Sequence, residues 1–272
     1  MVLEKLARAG YFAKGIIYGL IGILAILAAF NAGGKTTDAN GVLHTIAGQP
    51  FGQILLILLG IGLFGYAIWR FVEAALDPEH ENRDKDANSL FHRLSYAISG
   101  VIYTGLAVQA ILLVIDASSS SGGGNSTADW TARLLSQPFG RWLVGLVGAV
   151  IIGFGFYQLY KAYKAKFRGK LNLRRLTQEQ EKWVIRIGQM GISARGIVFV
   201  IIGFFLIQAG RQYDPQQARG LDGALQTLAR QPYGKLLLAI VALGLAAYGL
   251  FMIIQSRYRR ISTPSVRPHL PV

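Results

Sequence analysis

Six long apolar runs, separated by shorter polar segments, dominate the hydrophobicity pattern of the chain. A bilayer core of ~30 Å needs ~20 apolar residues in a helix, because each residue adds ~1.5 Å. Helices suit this environment because unpaired backbone amides are costly in hydrocarbon. A soluble protein that buried six such runs would keep too little polar surface. We therefore predict six transmembrane helices, at about 11–32, 51–74, 94–116, 139–163, 192–210 and 234–256.

The polar segments repeat as well. Each pair of runs is divided by a Gln-Pro-aromatic-Gly tetrapeptide: Gln49-Pro50-Phe51-Gly52, Gln137-Pro138-Phe139-Gly140 and Gln231-Pro232-Tyr233-Gly234. A second anchor is the glycine at Gly15, Gly100 and Gly196, preceded by Lys14, Ser99 and Arg195. Agreement at two separate anchors predicts three tandem two-helix repeats. Their predicted bounds are 1–78, 93–166 and 183–260, with a charged cytoplasmic linker at 79–92, a basic one at 167–182 and a disordered tail at 261–272.

A short amphipathic stretch precedes each tetrapeptide. Apolar residues four apart, such as Val42 and Ile46, suit a helix that lies at the membrane interface. The proline would then stand at the turn into the next span, and the glycine would allow close backbone approach. Repeats with an even number of spans share one orientation, so an axis along the membrane normal can relate them. We predict an all-α polytopic membrane protein with approximate threefold symmetry and three interfacial helices on its outer side.

The basic residues predict the orientation. The side that carries both termini holds 21 of the 28 Lys and Arg. The positive-inside rule then places both termini in the cytoplasm of a cell with an inner (plasma) membrane. Attraction to anionic lipid headgroups accounts for the net charge of +14, and no basic soluble domain is long enough to favour nucleic acid. Membrane lipids are the expected partners, and a homo-oligomer or a membrane-protein partner stays open.

Several polar residues lie within the spans or at their ends. Arg195 is expected to snorkel towards the headgroups from the end of the fifth span. Arg70 and Glu73 share one helix face, and a Glu73–Lys161 ion pair between repeats is a further hypothesis. These residues are either interhelical hydrogen-bonding groups or the lining of a polar path. The candidates are Asn31, Arg70, Glu73, Gln109, Asp116, Gln158, Lys161 and Gln208.

No pattern indicates catalysis. The chain has no cysteine, which excludes disulfides, thiolate metal sites and cysteine nucleophiles. None of the four histidines lies inside a predicted span, where axial haem ligands would have to stand. No serine, histidine and aspartate form a recognisable nucleophile context. We predict no catalytic residue, no metal site and no cofactor, and the chain is not expected to be an enzyme.

The opening of each repeat and its tetrapeptide resemble a bacterial family called domain of unknown function 1206. Ala13-Lys14-Gly15-Ile16-Ile17-Tyr18 and Ala194-Arg195-Gly196-Ile197-Val198-Phe199 carry the opening, and the second repeat departs from it with Ser99. The resemblance extends from about Leu6 to Arg257. It implies three two-helix modules in a prokaryotic plasma membrane, and it transfers no catalytic residue.

Two functions follow as hypotheses. The first is a structural, lipid-contacting or complex-assembly role, because the repeated motif has a complete structural explanation. The alternative is a transporter or small channel that uses a polar path at the centre of the bundle. It predicts a cavity lined by Gln109, Gln158, Gln208 or Asp116.

Overall fold

The long apolar helices define the architecture in a computed structural model that describes residues 2–76, 87–115, 126–172 and 176–260. Nine α-helices lie within these residues: α1 (Val2–Ala29), α2 (Ala39–Ala47), α3 (Gly52–Leu76), α4 (Ala87–Ile115), α5 (Ser126–Leu135), α6 (Gly140–Tyr163), α7 (Gln178–Gln212), α8 (Leu221–Ala229) and α9 (Gly234–Tyr258). In the described ranges, six of them are long and apolar enough to cross a membrane: α1, α3, α4, α6, α7 and α9. The predicted all-α fold with six such helices is confirmed.

The fifth long helix extends well before its predicted start. The apolar pattern predicts a span at 192–210, whereas α7 is continuous from Gln178 to Gln212. Thr177 and Gln180 form a capping box, in which each side chain bonds the backbone amide of the other. The residues after this cap contain no proline, so nothing interrupts the helix before the apolar part.

The turn into the second helix of each repeat has the same backbone in all three repeats. The glycine amide donates to the glutamine carbonyl oxygen at 2.8–2.9 Å, and the aromatic residue has a positive φ of 60–62°. With proline before it, this is a type II turn. Glycine is needed as its last residue because a Cβ there would overlap a carbonyl oxygen of the preceding short helix.

The short helices α2, α5 and α8 directly precede these turns. α2 buries Val42, Leu43 and Ile46 against the long helices, and α8 buries Ala224 and Leu225. Their predicted position at the membrane interface, like the predicted threefold symmetry, stays a prediction.

The long helices pack in the order α4, α3, α1, α9, α7, α6. The closest packing joins helices of different repeats and depends on small residues. A Cβ on Gly22 of α1 would overlap Ala246 of α9, and one on Gly203 of α7 would lie 2.6 Å from the Gly148 carbonyl oxygen of α6. Small residues allow this backbone contact, which holds helices together in a bilayer.

The row of helices is open at one side. In the first repeat α1 packs on α3, and in the third α7 packs on α9. In the described part of the chain, the corresponding helices of the second repeat, α4 and α6, are not packed against each other. They also bury the smallest share of their apolar residues among the six long helices. We call the space between these two helices the opening.

Candidate functional site: a buried basic and tyrosine cluster

Lys14 of α1 lies inside a cage of four tyrosines. Its Nζ is 5.0–5.9 Å from the ring centroids of Tyr18, Tyr66, Tyr103 and Tyr248, which come from α1, α3, α4 and α9. Only 4% of Lys14 is exposed. The ammonium donates a hydrogen bond to the Tyr66 hydroxyl at 3.2 Å. Cation–π contact of this kind contributes most where the cation is removed from water.

Arg195 of α7 lies on two of the same rings. Its Cζ is 5.6 Å from the Tyr18 centroid and 5.1 Å from the Tyr248 centroid, and Nη1 donates to the Tyr248 hydroxyl at 2.9 Å. Its Nε is buried and has no hydrogen-bond partner among the described residues. Lys14 and Arg195 occupy the same position in the first and third repeats. Both therefore bond the tyrosine of the second helix in their own repeat.

Three edge-to-face ring pairs form a layer around the two cations. Tyr66 pairs with Tyr103, Phe154 with Phe199, and Tyr248 with Tyr18, with centroids 4.6, 5.3 and 4.8 Å apart. Each pair joins the second helix of one repeat to the first helix of the next, including the third repeat to the first. Such pairs contribute ~0.5–1.5 kcal/mol each beyond area burial.

The one buried carboxylate among the described residues, that of Glu73, is engaged by other cations. Glu73, which is 1% exposed, accepts from Arg70 at 2.6 Å and from Arg259 at 3.2 Å, so it joins the first repeat to the third. The charged groups that act most strongly on Lys14 are all basic: Arg195, Arg70, Arg259 and Lys161. The cage therefore holds positive charge without a carboxylate partner, an arrangement that is costly in a low-dielectric region.

Among its described residues, the second repeat lacks the contacts that join the two helices in the other repeats. Where the others have Lys14 or Arg195 bonded to a tyrosine, it has Ser99 and Phe154. The Ser99 hydroxyl donates to the Ser95 carbonyl oxygen within its own helix. Neither half of the polar contact can therefore form between α4 and α6.

Two small-residue contacts are lost at the same place. Gly10 and Gly191 are so close to the backbone of Tyr66 and Tyr248 that a Cβ would overlap it. The second repeat has Ser95 at that position. It also has Ile98 and Val150, both about half exposed, where the other repeats pack Ala13 on Gly62 and Ala194 on Gly244.

Some of the polar residues singled out in the sequence meet, and others do not. Arg70 and Glu73 form the ion pair described above, and Arg70 also donates to the Tyr66 hydroxyl. The partner of Glu73 from another repeat is Arg259, not Lys161 as hypothesised, because Arg259 extends past the end of α9 towards α3.

Among the described residues, the remaining candidates make no hydrogen bond to the cage. Gln158 is buried on α6, whereas Gln109, Gln208 and Lys161 are partly exposed. Asn31 has a positive φ and ends α1, where the following amide bonds the Leu27 carbonyl oxygen. Asp116 lies outside the described residues.

Sequence reasoning missed the two cations of the cage. It named Lys14 only as part of the repeated pattern and expected Arg195 to snorkel towards the headgroups, but the structure turns both side chains into the bundle. A signal was present in the repeat. A base or serine stands four residues before Tyr18, Tyr103 and Phe199, so both positions share one helix face.

Comparison with known proteins agrees with the three-repeat architecture. The family model described as Domain of Unknown Function (DUF1206) matches the chain three times, at residues 9–77, 94–165 and 190–259. The chain is 38% identical over 260 residues to the protein named Uncharacterized protein YxxB of Bacillus subtilis strain 168, which covers 96% of this chain and 92% of that protein. No solved structure matches this chain. The chain therefore belongs to the DUF1206 family of three tandem two-helix repeats.

Proposed function

We propose that the protein binds a membrane lipid in the opening between α4 and α6. The observation that carries the proposal is the loss, among the described residues of the second repeat, of the contacts that join the two helices in each of the other repeats. Helices in a bilayer gain nothing from hydrophobic burial against each other, so close packing and hydrogen bonds decide whether they meet. Where both are missing, acyl chains fill the space.

The walls of the opening are apolar along their length. Ile98 and Ile102 of α4 and Val147 and Val150 of α6 are all exposed, whereas the equivalent residues of the other two repeats are buried. Such side chains are as well solvated by acyl chains as by one another. The middle of α4 carries Tyr103 of the cage, so a lipid between α4 and α6 would lie beside the basic cluster.

The proposed setting is the plasma membrane of a bacterium, with both termini in the cytoplasm. The start of α1 and the end of α9 share one side, because Arg8 donates to the carbonyl oxygens of Ser256 and Arg257. That side is rich in basic residues, which supports the orientation through the positive-inside rule. We favour lipid binding over a transporter or small channel because Gln109 and Gln208 lie 10 and 13 residues along their helices from Ser99 and Arg195, or ~15–20 Å from the level of the cage.

A photo-crosslinking experiment tests the proposal. A benzophenone amino acid is placed at Ile98 or at Val150, on the two walls of the opening. The protein is purified from membranes, washed with detergent to remove bulk lipid and then irradiated. We expect a covalent lipid adduct by intact-mass spectrometry at both positions, because the lipid in the opening is retained.

The matched control is the same amino acid at Ile61 of α3, which is exposed on the outside of the bundle. Lipid at Ile61 is bulk lipid, and washing removes it. Equal adduct yields at Ile61 and Ile98, or no adduct at either wall, would contradict lipid binding in the opening.

A further inference from the structure

The chemistry of the cage adds a specificity to this lipid site. We infer that Lys14 and Arg195 bind the oxyanion of an anionic amphiphile, a phosphate or a carboxylate, whose acyl chain lies in the opening between α4 and α6. This inference rests on the proposed function for the position of the acyl chain. It depends on separate observations for the anion.

The first observation is an excess of buried donors. Lys14 has three N–H groups and, among the described residues, bonds only the Tyr66 hydroxyl. The Nε of Arg195 is buried without a partner there. Aromatic faces attract the charge but offer no oxygen acceptor, so an oxyanion is the group that would complete both sets of bonds.

The second observation is the uncompensated charge. Removing a cation from water costs several kcal/mol unless an anion compensates it. Glu73 is engaged by Arg70 and Arg259, and the groups that act most strongly on Lys14 are cations. A bound anion therefore stabilises the cluster more than any neutral ligand would.

The third observation is that the second repeat has no base at the position of Lys14 and Arg195. Lys14 and Arg195 occupy one repeat position, and Ser99 is its equivalent on α4, beside the opening. Its short side chain bonds within its own helix, so this position adds no third cation on the side where the lipid would enter. A headgroup oxyanion there faces two cations, whereas a third lysine or arginine would repel them.

The depth of Lys14 is compatible with a lipid headgroup. Lys14 lies 15 residues from the far end of α1, or ~22 Å along a helix. In a ~30 Å core this is roughly 8 Å inside the boundary that is nearer to the termini. An amphiphile whose chain follows the opening can place its charged group there, because the cage supplies the polar partners that hydrocarbon lacks.

The test compares headgroups of different charge on identical acyl chains. Delipidated protein in detergent is titrated with phosphatidylglycerol, phosphatidylcholine, a fatty acid or inorganic phosphate, and one-to-one complexes are counted by native mass spectrometry. For the unaltered chain we expect about tenfold stronger retention of phosphatidylglycerol than of phosphatidylcholine, since charge-assisted bonds exceed neutral ones. If the fatty acid is retained like phosphatidylglycerol, a carboxylate suffices.

Variants assign the preference to the cage. Lys14→Met and Arg195→Met should each reduce it several-fold, and the double variant should abolish it while phosphatidylcholine retention persists. Lys35→Met, an exposed base far from the cage, should leave it unchanged. Tyr66→Phe keeps both cations of the cage and removes one hydroxyl, which accepts from Lys14 and from Arg70. Tyr66→Phe should weaken the preference for phosphatidylglycerol while its melting temperature stays equal to that of Lys35→Met. The test therefore stays informative if Lys14→Met misfolds.

The outcomes separate this inference from the proposed function. Lipid adducts at Ile98 and Val150 with an unchanged preference in the double variant and in Tyr66→Phe would overturn the anion site alone. Charge-dependent binding without those adducts would overturn lipid entry through the opening alone. Inorganic phosphate that displaces phosphatidylglycerol at equal concentration would overturn the amphiphile as ligand and leave a soluble oxyanion in the site.

Discussion

At the residue scale, the three turns into α3, α6 and α9 each place an aromatic side chain where the backbone favours glycine. Phe51, Phe139 and Tyr233 have positive φ and are 79–85% exposed. A left-handed conformation costs a non-glycine residue ~1–2 kcal/mol. Aromatic rings at a membrane–water boundary offset such a cost by anchoring in the headgroup region. Glycine follows each ring for a different reason, the close approach of a carbonyl oxygen.

The glycine of this turn provides a stability prediction. Gly140→Ala should lower the free energy of unfolding by about 1–3 kcal/mol, because the new Cβ overlaps the Leu134 carbonyl oxygen. The melting temperature of the detergent-solubilised protein, followed by tryptophan fluorescence, measures it. Gly145→Ala on the same helix is the control, because no atom lies within 4 Å of a Cβ there. Equal melting temperatures for the two variants would refute the close contact.

At the element scale, small residues decide which helices meet. On one helix, α6, Gly148 faces the backbone of Gly203 and Ile207 on α7, whereas Gly153 faces open space. The α6–α7 contact joins the second repeat to the third, and it is what holds α6 in the bundle. Between the described residues of α4 and α6 there is no such contact, so the opening and the tight interface lie on different sides of α6.

A pair of substitutions on α6 tests this division. Gly148→Leu should lower the melting temperature by several degrees or prevent folding, because the side chain would enter the α7 backbone. Gly153→Leu adds the same apolar surface and should change the melting temperature little. Fluorescence-detected size-exclusion chromatography at increasing temperature compares them. If Gly153→Leu lost its monodisperse peak at the same temperature as Gly148→Leu, this would show that α6 is packed on both sides.

The absence of cysteine allows the opening itself to be probed by disulfides. A Cβ on Gly60 of α3 would lie 3.6 Å from the Ala110 Cβ of α4, a spacing that suits a disulfide. Gly60→Cys/Ala110→Cys should therefore crosslink under mild oxidation. Ile98→Cys/Val150→Cys should not, although the equivalent residues touch in the other repeats. Gel mobility after protease cleavage between the helices distinguishes the two, and rapid crosslinking of the second pair would show that α4 and α6 meet.

At the scale of the whole molecule, the repeated apolar runs were sufficient to predict six long helices in three units, because length and charge determine what can cross a bilayer. They could not predict the opening, which depends on which faces meet. Ser99 was visible as the exception at the repeat position that Lys14 and Arg195 occupy in the other repeats. Its meaning required Ile98, Val150 and Phe154 to be read with it, and only the packing shows that these positions oppose one another. Arg195 was assigned to the interface for the same reason, since periodicity predicts a face but not its neighbour.

The orientation of the whole molecule is the last prediction. The aromatic turns lie at one end of the bundle, and Lys164, exposed after α6, lies at the end that carries both termini. In this cysteine-free chain, single cysteines at Phe51, Phe139 and Tyr233 should all react with a membrane-impermeant maleimide on intact cells. A cysteine at Lys164 should react only after permeabilisation, because the positive-inside rule retains that basic end in the cytoplasm. Labelling of all three turns would also establish that each repeat crosses the membrane an even number of times. The reverse labelling pattern would invert the orientation, and a difference among the three turns would contradict the parallel arrangement of the repeats.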